Sequence, residues 1–215
     1  DVEVAGHGLS RALRESGVFT PEDIEATRGR IPNSASHLTG AALGVSRVGE
    51  AGFAGVAVSR FETEYGIPGP ESVSIDMNQT RLDFNSDWHE PNAWIASMHL
   101  RGSYNTYEHA ELEPGGEVGT QFEQDGLSAR LAVDTNELAG WRGSFGLQVR
   151  HVDFLAEGDE AFVPASATDN LGVFAYADRP FGVVTLELGG RLEQQDVVPD
   201  ADLPEYASSR ASFAG

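Results

Sequence analysis

The chain has 215 residues with 25 Gly, 10 Pro and no Cys, an apolar fraction of 40% and a formal net charge of −20. With 34 acids against 14 bases it would be repelled by a phosphate backbone, which excludes nucleic acid and favours cations or basic partners. The lack of Cys excludes thiol chemistry and Cys-based zinc sites, and no apolar run approaches the roughly 20 residues of a membrane-spanning helix.

The opening run Val2-Glu3-Val4-Ala5-Gly6 is strand-like, with neither an initiator Met nor a leader pattern, and predicts a strand from Val2 to about Leu13. A Pro- and acid-bearing stretch from Arg14 to Ser36 follows, then a strand, then a tight turn at Gly49-Glu50-Ala51-Gly52. Phe53 to Glu62 reads as a strand ending in a loop through Tyr65 to Pro70, and Val73 to Phe84 as a strand ending in a turn from Asn85 to Asn92. Strands around Trp94–Glu111, Leu127, Trp141, Leu171 and Val184 come next. They are separated by a loop at Glu113 to Gly116, a turn at Thr135 to Gly140, a loop from Gly158 to Pro164 and a turn at Asp178 to Phe181. A last loop, Asp196 to Tyr206, leads to Ser209–Gly215, which reads as the start of another strand. The expectation is an internal piece of a longer protein.

Period-two alternation runs through these segments. Trp94, Ala96, Met98, Leu100, Gly102 and Tyr104 oppose Ser97, His99, Arg101, Ser103, Asn105, Tyr107, His109 and Glu111. Leu127, Ala129, Leu131 and Val133 oppose Ser128, Arg130 and Asp134, and Val184, Leu186, Leu188 and Leu192 oppose Thr185, Glu187, Arg191 and Glu193. Phe145, Leu147 and Val149 oppose Ser144, Gln148 and Arg150. One face suits lipid and the other a polar lumen, as in a transmembrane barrel, although a soluble sandwich alternates too. Long and short connections in alternation favour the barrel, since outer-membrane barrels have short turns at one end and long loops at the other. The fold class expected is all-β, an antiparallel up-and-down meander forming part of an outer-membrane β-barrel. One strand breaks phase: Val73, Ile75 and Met77 share a parity that Leu82 and Phe84 do not, so either a bulge intervenes or the strand leaves the membrane early.

Several phrases in succession carry a resemblance. They are Arg30-Ile31-Pro32-Asn33-Ser34, Leu43-Gly44-Val45-Ser46 with Val48-Gly49-Glu50-Ala51-Gly52-Phe53, Val58-Ser59-Arg60-Phe61 running into Tyr65-Gly66-Ile67-Pro68-Gly69, Tyr107-Glu108-His109-Ala110-Glu111-Leu112 and Gly158-Asp159-Glu160-Ala161-Phe162-Val163-Pro164. From about Arg30 to Glu193 the chain resembles the barrel of TonB-dependent outer-membrane receptors, closest to the zinc-uptake branch. The resemblance implies a partial receptor barrel over residues 1–215, supplying about nine or ten of the family's 22 strands, with the plug domain and the other strands outside this chain. It implies active transport of a scarce metal ion or metal chelate across the bacterial outer membrane. Energy would come from the TonB complex, contacted through an absent N-terminal region, with outer-membrane lipid around the barrel. The six His are scattered rather than gathered in the His-rich loop common in the zinc branch, so zinc and iron-siderophore cargo both stay open. No resident cofactor is expected.

Tyr107, His109 and Glu111 share the lumen parity near the outer end of their strand, and imidazole and carboxylate are normal ligands for divalent transition metals. These three are the candidate metal ligands; hydrogen-bonded wall residues are the plainer reading. The acidic runs Glu62-Thr63-Glu64 and Glu157-Gly158-Asp159-Glu160 read as solvated loops, Trp88, Trp94 and Trp141 as an aromatic girdle beside the short turns, and His99 and Arg101 as inward groups paired with acids of neighbouring strands or the plug. No nucleophile elbow, zinc-protease helix motif or phosphate loop is present, so no catalytic residue is assigned and an enzyme is not expected. A passive porin-like barrel and a soluble extracellular β-sheet binding module remain as alternatives.

Overall fold

A computed structural model describes residues 2–3, 30–69, 71–158, 161–200 and 208–214. Two short segments, β1 (Val2–Glu3) and β2 (Arg30–Ile31), pair antiparallel. The rest of the described chain is one sheet of nine strands: β3 (Ser36–Gly49), β4 (Gly52–Gly66), β5 (Ser74–Asn92), β6 (Ile95–Leu112), β7 (Val118–Thr135), β8 (Arg142–Gly158), β9 (Ser166–Phe181), β10 (Val184–Pro199) and β11 (Ser208–Ala214). Each pairs antiparallel with its neighbour in sequence, so the sheet is an up-and-down meander without crossovers. The expected strand from Val2 to Leu13 falls mostly outside the described residues.

In an antiparallel ladder, paired residues put their side chains on one face, so the register sorts the sheet into two faces. Leu100, Leu131, Leu147, Val173 and Leu192 form one continuous row across β6–β10. Val58, Leu82, Tyr104 and Leu127 form another across β4–β7. These rows belong to the same face, where Leu147 is 41% and Leu192 55% exposed. On the opposite face the rows are polar, such as Asn85, Arg101, Arg130 and Gln148. A folded chain this size ordinarily hides its leucines between layers. Here the buried apolar residues among those described are Ile75 and Val133, so the sheet has no covered core.

The phase break in β5 resolves without a bulge. From Ser74 to His89 the strand pairs with β6 in uninterrupted register. Leu82 and Phe84 therefore lie on the apolar face and Ile75 and Met77 on the polar one, beyond the apolar belt. Strands of 19, 18 and 18 residues in β5, β6 and β7 exceed the roughly 9–11 needed to cross a bilayer. Their loop ends extend past the apolar rows, and there Ile75, only 6% exposed, sits between Tyr65 and Glu111.

Two expected turns are strand instead. Asn85 to Asn92 belongs to β5 and the reversal is at 93–94; Asp178 to Phe181 belongs to β9 and the reversal is at 182–183. These residues are polar because of the partners they meet across the ladder: Asp87 meets His99, Asp178 meets Arg142, and Ser86, fully buried, donates to the Phe53 carbonyl. Trp94 lies within the 93–94 turn rather than on the strand, 68% exposed, its amide donating to Asn92 Oδ1. Sequential antiparallel pairing puts the reversals at 50–51, 93–94, 136–141 and 182–183 on one rim, and on the other the facing ends of β4 and β5, β6 and β7, β8 and β9, and β10 and β11. The 136–141 connection is not a tight turn, although a Leu138–Trp141 bridge closes it. At the first reversal Gly52 has φ +133°, and a Cβ there would collide with the Asp87 carbonyl oxygen, so only Gly fits.

Candidate functional site

The three candidate ligands occupy the loop end of β6 on the polar face. Tyr107 is flanked by Gln79 and Gln124, His109 by Met77 and Phe122, and Glu111 by Ile75 and Thr120. Tyr107 Oη lies 2.9 Å from His109 Nδ1, with the rings edge to face at 5.6 Å. On its other side the imidazole stacks on Phe122 at 4.5 Å between centroids and 24° between planes, and Phe122 in turn lies 6.5 Å from Phe154. The Tyr107 contact holds the imidazole by Nδ1 and the Phe122 ring fixes its plane, leaving Nε2 as the nitrogen free to ligate. Glu111 lies two residues further along the same face. Among the described residues, no group of three or more His, Asp or Glu is gathered as a metal site, so these three offer two strong donors and a phenol.

A denser polar cluster forms at the other end of β6. His99 Nδ1 contacts Asp87 Oδ1 of β5, while Nε2 lies 3.0 Å from Asp134 Oδ2 of β7. Ser97 Oγ donates to the same Asp134 oxygen at 2.6 Å. A side chain on β6 is thus tied to carboxylates on both neighbouring strands. The inward, acid-paired placement of His99 is the one its parity predicts; Arg101 differs, since its Nε donates to a neutral amide, Asn85 Oδ1, at 3.3 Å.

The other predicted positions fall as follows. Glu62 and Glu64 are in β4 rather than in a loop, and Arg60 Nε donates to Glu62 at 2.7 Å. Residues 159–160 lie outside those described. Trp88 is on the apolar face opposite Gly52 and Met98, and Trp141 borders the 136–141 connection with the Arg179 guanidinium 5.9 Å from its ring, so all three Trp lie at the short-turn rim. Sequence reasoning missed His151, whose two nitrogens contact Asp169 at 2.8 Å and Asp153 at 3.0 Å on the apolar-parity face beyond the belt. There a groove of about 690 Å³ is lined by Glu108, Glu123, Asp125 and Asp153. The signal was available: Asp153 and Asp169 share the parity of Leu147 and Leu171, which marks where the belt ends.

No protein-family model matches the sequence, and no curated protein does. Solved structures do match. The copper transporter OprC is 13% identical with a TM-score of 0.65, over 84% of this chain and 33% of its own. Two variants of the FrpB iron transporter from Neisseria meningitidis match with TM-scores of 0.70 (F3-3 variant, 10% identity) and 0.67 (F5-1 variant, apoprotein form, 11% identity). Each match with FrpB covers 86% of this chain and 35% or 33% of that one, so the chain spans about a third of the structures it matches. At such identities the likeness is one of fold: these nine strands are an antiparallel meander matching a barrel segment of outer-membrane transporters.

Proposed function

We propose that the chain is part of the barrel wall of a bacterial outer-membrane receptor that imports a scarce metal ion or metal chelate, energised through TonB. One observation carries the reading: a nine-stranded meander with an uncovered apolar belt on one face superposes on structures named as a copper transporter and iron transporters. The belt would contact lipid, since leucines in continuous exposed rows are otherwise an aggregation liability. The polar face would line the lumen. On this reading the intact protein carries further strands that close the sheet at β3 and β11, a plug, and a segment that meets TonB. On this reading the protein is a transporter.

Tyr107, His109 and Glu111 would help receive the cargo near the outer mouth. His109 Nε2 and the Glu111 carboxylate are the donors; Tyr107 and Phe122 orient the imidazole. Both zinc and an iron chelate are compatible with such donors. The test is metal binding and uptake by the full-length protein with His109→Ala and, separately, Glu111→Gln. Loss of binding with an intact barrel is expected. If both variants bind and import as the parent does, these side chains are ordinary wall residues.

A further inference from the structure

The register exposes a charge arrangement that parity alone does not. Arg101 of β6 and Arg130 of β7 are direct cross-strand partners on the polar face. Like charges directly opposite one another oppose strand pairing. Arg150 of β8 pairs with Ser128, two residues from Arg130, and so adds a third guanidinium diagonally across the ladder. The chain contains no lysine, so all 14 of its bases are arginines, which stay charged and offer a planar fork of donors.

In a chain of net charge −20, carboxylates are abundant, yet the nearby ones on this face are engaged elsewhere. Asp83 receives Arg81 on both oxygens; Asp87 and Asp134 flank His99; Glu193 accepts from Arg191 and Asn170. Arg101 and Arg130 instead contact the neutral amides Asn85 and Gln148, each at 3.3 Å, and Arg130 lies 4.4 Å above the Phe174 ring. Neutral partners orient a guanidinium without cancelling its charge. Among the described residues, no ion pair forms to Arg101, Arg130 or Arg150, and all three are exposed. Beside them the Ser103 and Ser128 hydroxyls face each other at 2.8 Å. The three arginines stand behind Leu100, Leu131 and Val149, level with the apolar belt.

We propose that Arg101, Arg130 and Arg150 form an oxyanion site on the polar wall at the depth of the belt, taking carboxylate or phosphate groups. Planar forks on adjacent strands suit the paired oxygens of a carboxylate or phosphate, and the Ser103–Ser128 pair keeps one free O–H to donate to a further oxygen. The oxyanion is either a free small anion or an acidic side chain of a part of the protein seated against this face. The proposal stands independently of which metal, if any, the protein transports.

The test uses full-length protein in detergent micelles at low salt, with citrate as the probe in calorimetry and a thermal unfolding midpoint as a second readout. For a free anion, the parent binds citrate, Arg101→Gln and Arg130→Gln each weaken binding roughly tenfold, and Arg179→Gln, at the short-turn rim, leaves it unchanged. Arg101→Lys, which keeps the charge and loses the fork, falls between. For an internal acid, citrate does not bind the parent and the two Gln variants lower the midpoint. Citrate binding that is equal in all variants overturns the proposal. So does absence of binding together with a Gln variant whose midpoint is unchanged or raised, because two arginines that merely repel each other gain stability when one is neutralised.

Discussion

Replacing Leu147 by Arg separates a lipid-facing wall from a water-facing one. Leu147 lies between Leu131 and Val173 in the middle of the apolar rows, and no other part of the described chain covers it. If those rows contact hydrocarbon, an arginine there costs about 2–4 kcal/mol, the range for a basic residue at the bilayer midplane of a barrel. That is a shift of roughly thirty- to several-hundred-fold in the folding equilibrium. Gln148 is the next residue and faces the other way, beside Arg130. Gln148→Glu places a carboxylate on the polar face next to a guanidinium and should change stability by no more than about 1 kcal/mol. The assay is urea unfolding of full-length protein refolded into lipid vesicles, followed by tryptophan fluorescence. Equal costs for the two substitutions would refute the assignment of faces.

Three further outcomes follow from particular contacts. His99→Leu removes the group between Asp87 and Asp134, taking the imidazole from Asp87 and leaving Asp134 with the Ser97 hydroxyl but no cation; the cluster is partly exposed, so the loss should be about 1–2 kcal/mol, and Asp134→Asn in the same background should recover part of it. Gly52→Ala meets both a left-handed φ and the Asp87 carbonyl, and should cost about 2 kcal/mol or more in the same unfolding assay, against a near-neutral Gly49→Ala, where a Cβ meets nothing. Ile75→Ala, at a buried position on the polar face, should cost about 2 kcal/mol, whereas Leu82→Ala on the apolar face should leave the loop-end packing around Tyr65 and Glu111 unchanged by spectroscopy.

Much of the architecture was legible because a two-sided wall has to alternate: the parity sets around Leu100, Leu131, Leu147 and Leu192 each land on one face, and sequential pairing follows from their short reversals. The misreadings share a cause. Asn85–Asn92 and Asp178–Phe181 look like turns by composition, yet their polar groups are partners across the ladder, and which partner each one meets depends on register. The apparent slip in β5 came from assuming that apolar residues in one strand must share one face. Once a strand runs past the apolar belt, as at Ile75 and Met77, nothing on that face holds the alternation in phase.

The site was legible to the same depth. The common face of Tyr107, His109 and Glu111 follows from spacing alone, as does the inward position of His99. The stacking of His109 on Phe122, the second carboxylate at His99 and the opposition of Arg101 and Arg130 bring together residues 13 to 35 positions apart by strand pairing, and no local pattern encodes them.

The most direct test of the account is uptake by cells expressing the full-length protein, measured for zinc and for a ferric chelate with TonB present and with TonB deleted. The account predicts accumulation of one of these metals that requires both the protein and TonB. Entry that persists without TonB, or no metal accumulation above that of cells lacking the protein, would contradict it.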